Sequence, residues 1–435
     1  MIQASNSPTP LTAERSPWLR GPIRLPGDPA RSQLALLLGA MARGDSTVEN
    51  LNAGASVAGL CRALEQLGVH PHRSESRAAI RGLGIGGLLP PDGRLDLGNM
   101  DETGAMLLVA LLAAHGFPAQ FTGVGDAPML LALFDFFRRS GAGVDIAGDA
   151  ATLRPPRFPI PLDLALSDEA RALVGPLLLH CTALTGRSHL HLPAGLTDPA
   201  EGLLTRFGSL LAVDADADGT AITVDGMAPL TAQALTVPGD PALAVYPAVA
   251  ALIAPDSELT IESVALSAHG LALLDALALL GGDVTLGKTA QGPGIADITV
   301  RHAQLTGTAI AADLGIAPDD YAVLAVAAAF ADGETRLDGL PPGARRLAIS
   351  SALRANGVDC HERPGGLVIV GQPRVPGGGK LAARLDPKLA MSFLVLGMAA
   401  DRPVTIDDGA IMTPLFPGFV SAFEHVGASF SGGDA

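Results

Sequence analysis

The chain has 435 residues, of which 48% are hydrophobic and 17% charged, a composition that excludes an intrinsically disordered protein. Its 29 Lys and Arg residues against 44 Asp and Glu residues give a formal net charge of -15 at pH 7. This acidic balance argues against a nucleic-acid or anionic-membrane partner, and every apolar run is shorter than the roughly 20 residues that a transmembrane helix needs.

Taken in chain order, the predicted elements repeat one pattern: an apolar helix, a β-branched strand, an amphipathic helix that ends at Gly, and another strand. The apolar helices are predicted to begin near Asp28, Asp101, Asp168, Asp240, Asp319 and Asp386. They are apolar on nearly all sides, so we expect them to be fully buried, whereas each amphipathic helix should face a sheet on one side.

Two of the repeats are especially similar, and they lie about half the chain apart. Each opens with a small apolar residue and the sequence Pro-Gly-Asp-Pro, the first from Leu25 and the second from Val237. Two halves of three repeats each predict an α/β protein with two similar domains. We place the first domain at residues 21–236 and the second at residues 1–20 plus 237–435, so that the N-terminal residues return to the second domain.

Cysteine and histidine spacing gives little support for a metal centre. Cys61, Cys181 and Cys360 match no metal or redox spacing, and their apolar contexts predict buried, inert thiols. His189 and His191 alternate on one strand face and could share a metal, but without a nearby third ligand a solvated strand face is the favoured interpretation. We therefore expect no metal and no cofactor. Cysteine usage and the absence of a signal-peptide pattern predict a cytoplasmic protein.

Several segments, in this order, carry a family resemblance. They are LPGD with LALLLGAMARGDSTVENL from Leu25, LDLGN (Leu95–Asn99), VPGD (Val237–Asp240), DDYAVLAVAAAFADGETRL (Asp319–Leu337), AMSFLVLGMAA (Ala390–Ala400) and LFPGF (Leu415–Phe419). Together they resemble the EPSP synthase family, the 3-phosphoshikimate 1-carboxyvinyltransferases. The sister family of UDP-N-acetylglucosamine enolpyruvyl transferases fits less well.

The resemblance implies a fold and a reaction. The fold is two domains, each of three βαβαββ units, with a ligand cleft between the domains. The reaction belongs to the shikimate pathway of aromatic amino acid biosynthesis. It moves an enolpyruvyl group from phosphoenolpyruvate to the 5-hydroxyl of shikimate-3-phosphate. We accordingly expect a transferase with a small-molecule substrate in the cleft.

The resemblance also assigns site residues. Asp319 occupies the place of the carboxylate that moves the proton at the substrate hydroxyl, and Arg346 and Lys388 occupy two places of arginines that bind phosphoenolpyruvate. Lys388 keeps the charge of the family's arginine but not its planar fork. The remaining predicted substrate-binding residues are Arg31 beside a lost lysine, the retained Ser32 and Ser167, and Glu169 in the place of a glutamine.

Four cationic places of the family are lost here: they hold Pro29, Leu34, Leu107 and Ala127. Each charge-assisted hydrogen bond is worth about 1.5–3 kcal/mol, so their combined loss would weaken a doubly anionic substrate pair by many factors of ten. We therefore expect a divergent carboxyvinyl transferase with an altered substrate or reaction, acting on a less anionic, cyclitol-like or carboxylated small molecule.

Other interpretations stay open. The chain could be a non-catalytic paralogue that binds a small molecule or a protein partner in the old cleft. Asp28, Asp101 and Asp240 are expected to be N-caps, and Glu169 could form a local ion pair with Arg171. Without the resemblance, Asp319-Asp320 would be a helix start, Arg345-Arg346 a solvated first turn, and Tyr246 and Tyr321 core residues.

Overall fold

The computed structural model describes residues 8–156, 158–194, 198–217, 219–289, 294–383 and 386–432. The chain forms two compact units. We call Gly27–Val237 the continuous unit, and Met1–Pro26 together with Pro238–Ala435 the split unit. Within the described residues, no helix has the length and apolarity required to cross a membrane.

Two strands precede the continuous unit, β1 (Leu11–Glu14) and β2 (Arg20–Arg24). The helices of the continuous unit are α1 (Pro29–Met41), α2 (Ala55–Gln66), α3 (Glu102–Ala113), α4 (Pro128–Arg139), α5 (Val174–Ala183) and α6 (Pro199–Arg206). Its strands are β3 (Arg43–Glu49), β4 (His72–Ser74), β5 (Arg77–Leu83), β6 (Arg94–Asp96), β7 (Ala119–Thr122), β8 (Gly143–Ala147), β9 (Ala150–Arg154), β10 (Asp163–Ala165), β11 (Arg187–Leu192), β12 (Leu210–Ala215), β13 (Thr220–Asp225) and β14 (Ala234–Thr236).

The split unit continues after the continuous unit. Its helices are α7 (Val245–Ile253), α8 (Ala268–Leu279), α9 (Tyr321–Ala329), α10 (Ala344–Ala355), α11 (Pro387–Ala399) and α12 (Phe419–His425). Its further strands are β15 (Glu258–Ala265), β16 (Asp283–Lys288), β17 (Ile295–Arg301), β18 (Ala309–Ile310), β19 (Gly333–Asp338), β20 (Asp359–Arg363), β21 (Gly366–Gly371), β22 (Lys380–Leu381), β23 (Val404–Ile406) and β24 (Ser429–Ser431).

Each unit is built from four-stranded sheets that share one topology. In the sheet β6-β7-β9-β8, the parallel strands β6 and β7 are joined by α3, and β9 then pairs antiparallel with β7 and with β8. The sheets β10-β11-β13-β12 and β18-β19-β21-β20 have the same order. This arrangement confirms the predicted α/β fold of repeated βαβαββ units.

Strands distant in sequence complete one sheet in the continuous unit and two in the split unit, where β2 pairs parallel with β15. In the continuous unit, β14 pairs parallel with β3, with Ala234 opposite Thr47. In the split unit, β1 lies between β23 and β24, and Leu11 is opposite Ile406. Each unit is therefore closed by a strand from the other end of its own sequence.

The first helix of each repeat forms the core, as its apolar sequence predicted. All residues of α7 and of α9 are buried, and α7, α9 and α11 pack against one another. Tyr246 and Tyr321 are at most 1% exposed, which confirms them as core residues. The second helices, such as α4 and α10, bury one face only.

The three cysteines are buried and unpaired. Burial raises the pKa of the Cys61 and Cys181 thiols to about 11 and that of Cys360 to about 12. Because the thiolate is the reactive form, these side chains are inert at neutral pH, as predicted.

Candidate active site

In the split unit, the buried helices begin with charged residues, and the start of α11 is fixed by its sequence. The Asp386 carboxylate caps the helix by accepting hydrogen bonds from the backbone N–H groups of Lys388 and Leu389, both 3.1 Å long. Pro387 occupies the first helical position, where its missing N–H costs nothing. This start places Lys388 in the first turn.

Lys388 joins two carboxylates from the start of α9. Its Nζ lies 2.7 Å from Oδ2 of Asp319 and 2.7 Å from Oδ1 of Asp320. The other oxygen of Asp320, Oδ2, lies 2.7 Å from Nε2 of His269 in the first turn of α8. We call these four residues, His269, Asp319, Asp320 and Lys388, the acid–base cluster.

The two ends of the acid–base cluster are more exposed than its middle. The side chains of Asp319 and His269 are 41% and 32% exposed, but Lys388 is 16% and Asp320 0% exposed. A ligand can therefore reach one carboxylate and one imidazole, and the buried Asp320 and the half-buried Lys388 hold these two groups in place.

The cluster sets opposite protonation states at its two ends. Burial raises the pKa of Asp319, but the hydrogen bond and charge of Lys388 outweigh it, so this pKa lies below its usual value. The hydrogen bond to Asp320 raises the pKa of His269, against the effect of its partial burial. Burial lowers the pKa of Lys388, yet the two carboxylates raise it overall. At neutral pH Asp319 is thus a carboxylate base, and His269 is biased toward the imidazolium acid.

Arg345 stands beside this cluster. Its Nη2 lies 3.0 Å from Oδ2 of Asp386, and its charge helps to lower the pKa of Asp319. Its Nη1 is buried and has no hydrogen-bond partner among the described residues. A buried guanidinium N–H without a partner is a donor suited to a ligand oxygen.

Arg346, the predicted substrate-binding arginine, makes internal contacts instead. Its Nη1 donates to the carbonyl oxygens of Leu340 and Arg363, at 3.4 and 3.1 Å, and its Nε lies 3.4 Å from Glu362. Its side chain is only 10% exposed. The structure therefore brings Arg345, rather than Arg346, to the start of α11.

In the continuous unit, carboxylates cap the N-termini of α1 and α3. Asp28 caps α1 by accepting from the N–H of Arg31 at 2.7 Å, and Asp101 caps α3 by accepting from that of Gly104 at 2.7 Å. The predicted N-caps Asp28 and Asp101 are confirmed. The prediction for Asp240 was wrong: it lies in the split unit and accepts from the N–H of Ala242, but residues 241–244 form a turn and α7 begins only at Val245, after the N-cap residue Ala244. A capping carboxylate occupies the positive helix end that would otherwise bind an anion.

Arg31 and Ser32 are predicted site residues that lie inside the continuous unit. Burial lowers the pKa of the Arg31 guanidinium, while the charges of Asp28 and Asp198 oppose that effect. Burial also raises the pKa of both carboxyls, with Arg31 opposing it. Ser32 is fully buried, and its hydroxyl accepts from the N–H of Asn52 at 3.0 Å. Arg31 thus faces carboxylates of its own unit, and Ser32 supports a loop.

Ser167 and Glu169 lie together on an exposed 3₁₀ turn of the continuous unit. A hydrogen bond from Ser167 lowers the pKa of Glu169. Arg171 pairs with Asp168 at 3.6 Å, so the alternative of a Glu169–Arg171 ion pair was wrong. The shorter Asp168 side chain lies three residues from Arg171 on the same turn, a spacing that brings side chains together.

His189 and His191 have separate hydrogen-bonding neighbours. His189 Nδ1 lies 3.1 Å from the hydroxyl of Thr223, and His191 Nε2 lies 3.3 Å from Asp163. Across the described ranges, no group of three His, Cys, Asp or Glu residues is placed to hold a metal ion.

Sequence reasoning missed His269, Asp320 as a buried partner, and Arg345. Asp320 directly follows Asp319, and the sequence indicates only that a helix begins there. It does not indicate that the Asp320 side chain is buried between Lys388 and His269. His269 lies in a Ser-Ala-His-Gly helix start whose Ser267 caps α8, and no spacing rule links it to residue 320. These residues come together because the starts of α8, α9, α10 and α11 lie together in the split unit.

Comparisons with known proteins agree with this architecture. A sequence model of the family described as EPSP synthase (3-phosphoshikimate 1-carboxyvinyltransferase) matches residues 14–423. The chain is 35% identical over 450 residues to a 3-phosphoshikimate 1-carboxyvinyltransferase of Parvibaculum lavamentivorans, covering 99% of this chain and 98% of that protein. It is 36% identical over 449 residues to the protein of that name from Rhodospirillum rubrum, with 98% of each covered.

Solved structures show the same fold. The EPSP synthase from Acinetobacter baumannii superposes with a TM-score of 0.81 at 24% identity, covering 98% of this chain and 100% of that one. The enolpyruvyl transferase NikO from Streptomyces tendae superposes with a TM-score of 0.72 at 18% identity, covering 99% and 100%. Sequence similarity along nearly the whole chain and a shared repeat architecture lead to one conclusion: the chain belongs to the EPSP synthase family of transferases.

Proposed function

We propose that this protein is a divergent carboxyvinyl transferase or a related addition–elimination enzyme, and that its substrate carries less negative charge than shikimate-3-phosphate. The observation that carries the proposal is the position of the Lys388 ammonium, 2.7 Å from both Asp319 and Asp320. A cation held by two carboxylates of its own chain has little attraction left for a multiply charged ligand.

The proposed chemistry uses the two exposed ends of the acid–base cluster. Asp319, ionised and 41% exposed, accepts the proton of a substrate hydroxyl. Asp320 biases His269 toward its cationic form, so His269 is the group that donates a proton to the reacting molecules. Lys388 lowers the pKa of Asp319 and also contacts Asp320, the hydrogen-bond partner of His269.

Charge around the cluster sets the substrate class. Asp319, Asp320 and Asp386 lie beside the cations Lys388 and Arg345, and the contact with Asp320 raises the pKa of His269, so the cluster offers little uncompensated positive charge. The unpartnered Nη1 of Arg345 can donate a hydrogen bond to one more oxygen, such as a carboxylate oxygen of the ligand. We therefore propose a hydroxylated small molecule with at most one carboxylate, handled in the cytoplasm without a cofactor. The predicted roles of Arg31, Ser32, Ser167, Glu169 and Arg346 at the substrate remain proposals.

Phosphate release from phosphoenolpyruvate tests the proposal. The purified protein is incubated with phosphoenolpyruvate and one acceptor at a time: shikimate-3-phosphate, shikimate, or an uncharged cyclitol such as inositol. We expect release with shikimate or the cyclitol in preference to shikimate-3-phosphate, and its loss in Asp319→Asn. A preference for shikimate-3-phosphate would refute the proposed substrate class.

A non-catalytic binding protein is the second candidate. It is supported by the internal engagement of Arg346 and by the carboxylates that cap α1, α3 and α11. Acceptors that bind in calorimetry, without phosphate release and with equal affinity for the protein and for Asp319→Asn, would favour this candidate over the enzyme.

A further inference from the structure

A separate cavity opens in the continuous unit. It has a volume of about 270 Å³ and is lined by residues of α4 and α5 and by residues 159–164. Its wall is mainly carbon, supplied by Phe136, Phe137, Ile160 and Leu162. An apolar cavity of about 150 Å³ is enough to bind benzene, so this cavity can hold a substituted ring.

One buried polar side chain, His180, contributes to this wall. It lies on α5, is 5% exposed, and packs against Phe137 with 4.9 Å between ring centroids. Its Nδ1 lies 2.9 Å from the carbonyl oxygen of Ala110 on α3. Because a carbonyl oxygen only accepts, Nδ1 carries the hydrogen in this contact.

The other ring nitrogen of His180 is therefore an acceptor. Complete burial lowers the pKa of His180 to about 4, with a smaller contribution from the charge of His115, so the ring is neutral at pH 7. A neutral imidazole with its hydrogen on Nδ1 has a lone pair on Nε2. None of the described residues donates a hydrogen bond to this Nε2. Because His180 lines the cavity, the Nε2 lone pair is available to a ligand that carries a donor.

The chain beside the cavity exposes large apolar side chains. Ile160, which lines the cavity, is 70% exposed, and the neighbouring Phe158 is 77% exposed. Exposed apolar groups at the edge of a concave apolar site are typical of a ligand-binding mouth, because a bound ligand removes them from water.

We propose that this cavity, the His180 pocket, binds a small aromatic molecule that carries a single hydroxyl or N–H donor, such as a phenol or an indole. The ring would fill the space beside Phe137, and the donor would bond to Nε2 of His180. The proposal does not depend on the acid–base cluster, whose residues all belong to the split unit.

Phenol and toluene are the probes that test it, because they share a ring and a size but differ in the donor. Binding is measured by calorimetry at pH 7 for the full chain, for His180→Phe and for Ser140→Trp, which places a bulky ring at the exposed edge of the pocket. Ser421→Trp, at an exposed serine of α12, is the matched control.

We expect phenol to bind about tenfold more tightly than toluene, the effect of one hydrogen bond of about 1.4 kcal/mol. His180→Phe should remove that preference, Ser140→Trp should abolish binding of both probes, and Ser421→Trp should change nothing. Equal binding of the two probes to the unaltered protein, or undiminished binding to Ser140→Trp, would overturn the proposal. These two comparisons do not require that His180→Phe folds.

Discussion

The ammonium nitrogen of Lys388 lies 2.7 Å from Oδ1 of Asp320, a carboxylate with no exposed side-chain surface. A buried charge pair contributes little net stability relative to apolar residues, but removal of one partner leaves the other charge buried and uncompensated. The pair therefore holds the start of α11, which carries Lys388, against the start of α9, which follows Asp320.

Lys388→Met should consequently destabilise the fold. We expect the free energy of unfolding to fall by about 3 kcal/mol, since only His269 would still face the Asp320 charge. Urea unfolding measures this, with Lys380→Met at an exposed lysine as the control. A loss no larger than that of the control would show that Asp320 does not need its partner.

Asp319→Asn and Asp320→Asn should separate chemistry from stability. Asp319 is partly exposed, so its amide variant should fold normally but lose about 10²- to 10⁴-fold in turnover of the preferred acceptor. Asp320 is buried, and its variant should lose about 2 kcal/mol of folding free energy through weaker pairing with Lys388 and His269. Equal effects of both changes on unfolding and turnover would contradict this division.

The His269–Asp320 contact should make stability depend on pH. The contact raises the histidine pKa above its ordinary value of 6.5, so its stabilisation is complete below that pH and is lost as pH rises through the raised pKa. Unfolding of the protein and of His269→Gln should thus differ more at pH 6 than at pH 9. A difference that grows toward alkaline pH would be inconsistent with a charged imidazole.

Arg345 and Arg346 should respond differently to the same substitution. Arg346→Met removes contacts to two carbonyl groups and should lower the unfolding temperature with little change in KM. Arg345→Met removes the buried, unpartnered Nη1 and should raise the KM for a carboxylated acceptor about tenfold or more. A higher KM for Arg346→Met, with only a lower unfolding temperature for Arg345→Met, would show that Arg346 rather than Arg345 binds the substrate.

His180 should lower the free energy of unfolding at acidic pH. Its folded pKa of about 4 lies below the ordinary 6.5, so between these values the unfolded chain binds a proton that the folded protein excludes. From pH 7 to pH 5 the protein should lose about 2 kcal/mol more stability than His180→Phe. If urea unfolding showed the same loss of stability from pH 7 to pH 5 for the protein and for His180→Phe, the His180 ring would be protonated in the folded state.

The repeat architecture could be predicted because its signals are local. Apolar helices such as α7 and α9, with no polar face, have no stable position except between sheets and other helices, and both are wholly buried. The N-caps Asp28 and Asp101 could likewise be predicted, since each capping side chain bonds to the backbone three residues further along the chain.

The acid–base cluster could not be predicted in full because its partners are far apart in sequence. His269 and Asp320 are separated by 51 residues, and Asp320 and Lys388 by 68. Arg345 and Arg346 are adjacent, and only the direction of their side chains decides which one faces Asp386 and which one binds carbonyl groups. Such a choice depends on the packing of α10, which the sequence pattern leaves undetermined.

Calorimetric titration of the protein with shikimate-3-phosphate in the presence of phosphoenolpyruvate measures whether the remaining cations still bind a multiply charged acceptor. Two of these cations, Lys388 and Arg31, face carboxylates of their own chain. We predict no saturable binding of shikimate-3-phosphate at millimolar concentration. Micromolar binding of shikimate-3-phosphate, with release of phosphate, would show that these cations still bind its phosphate group and would contradict the proposed substrate class.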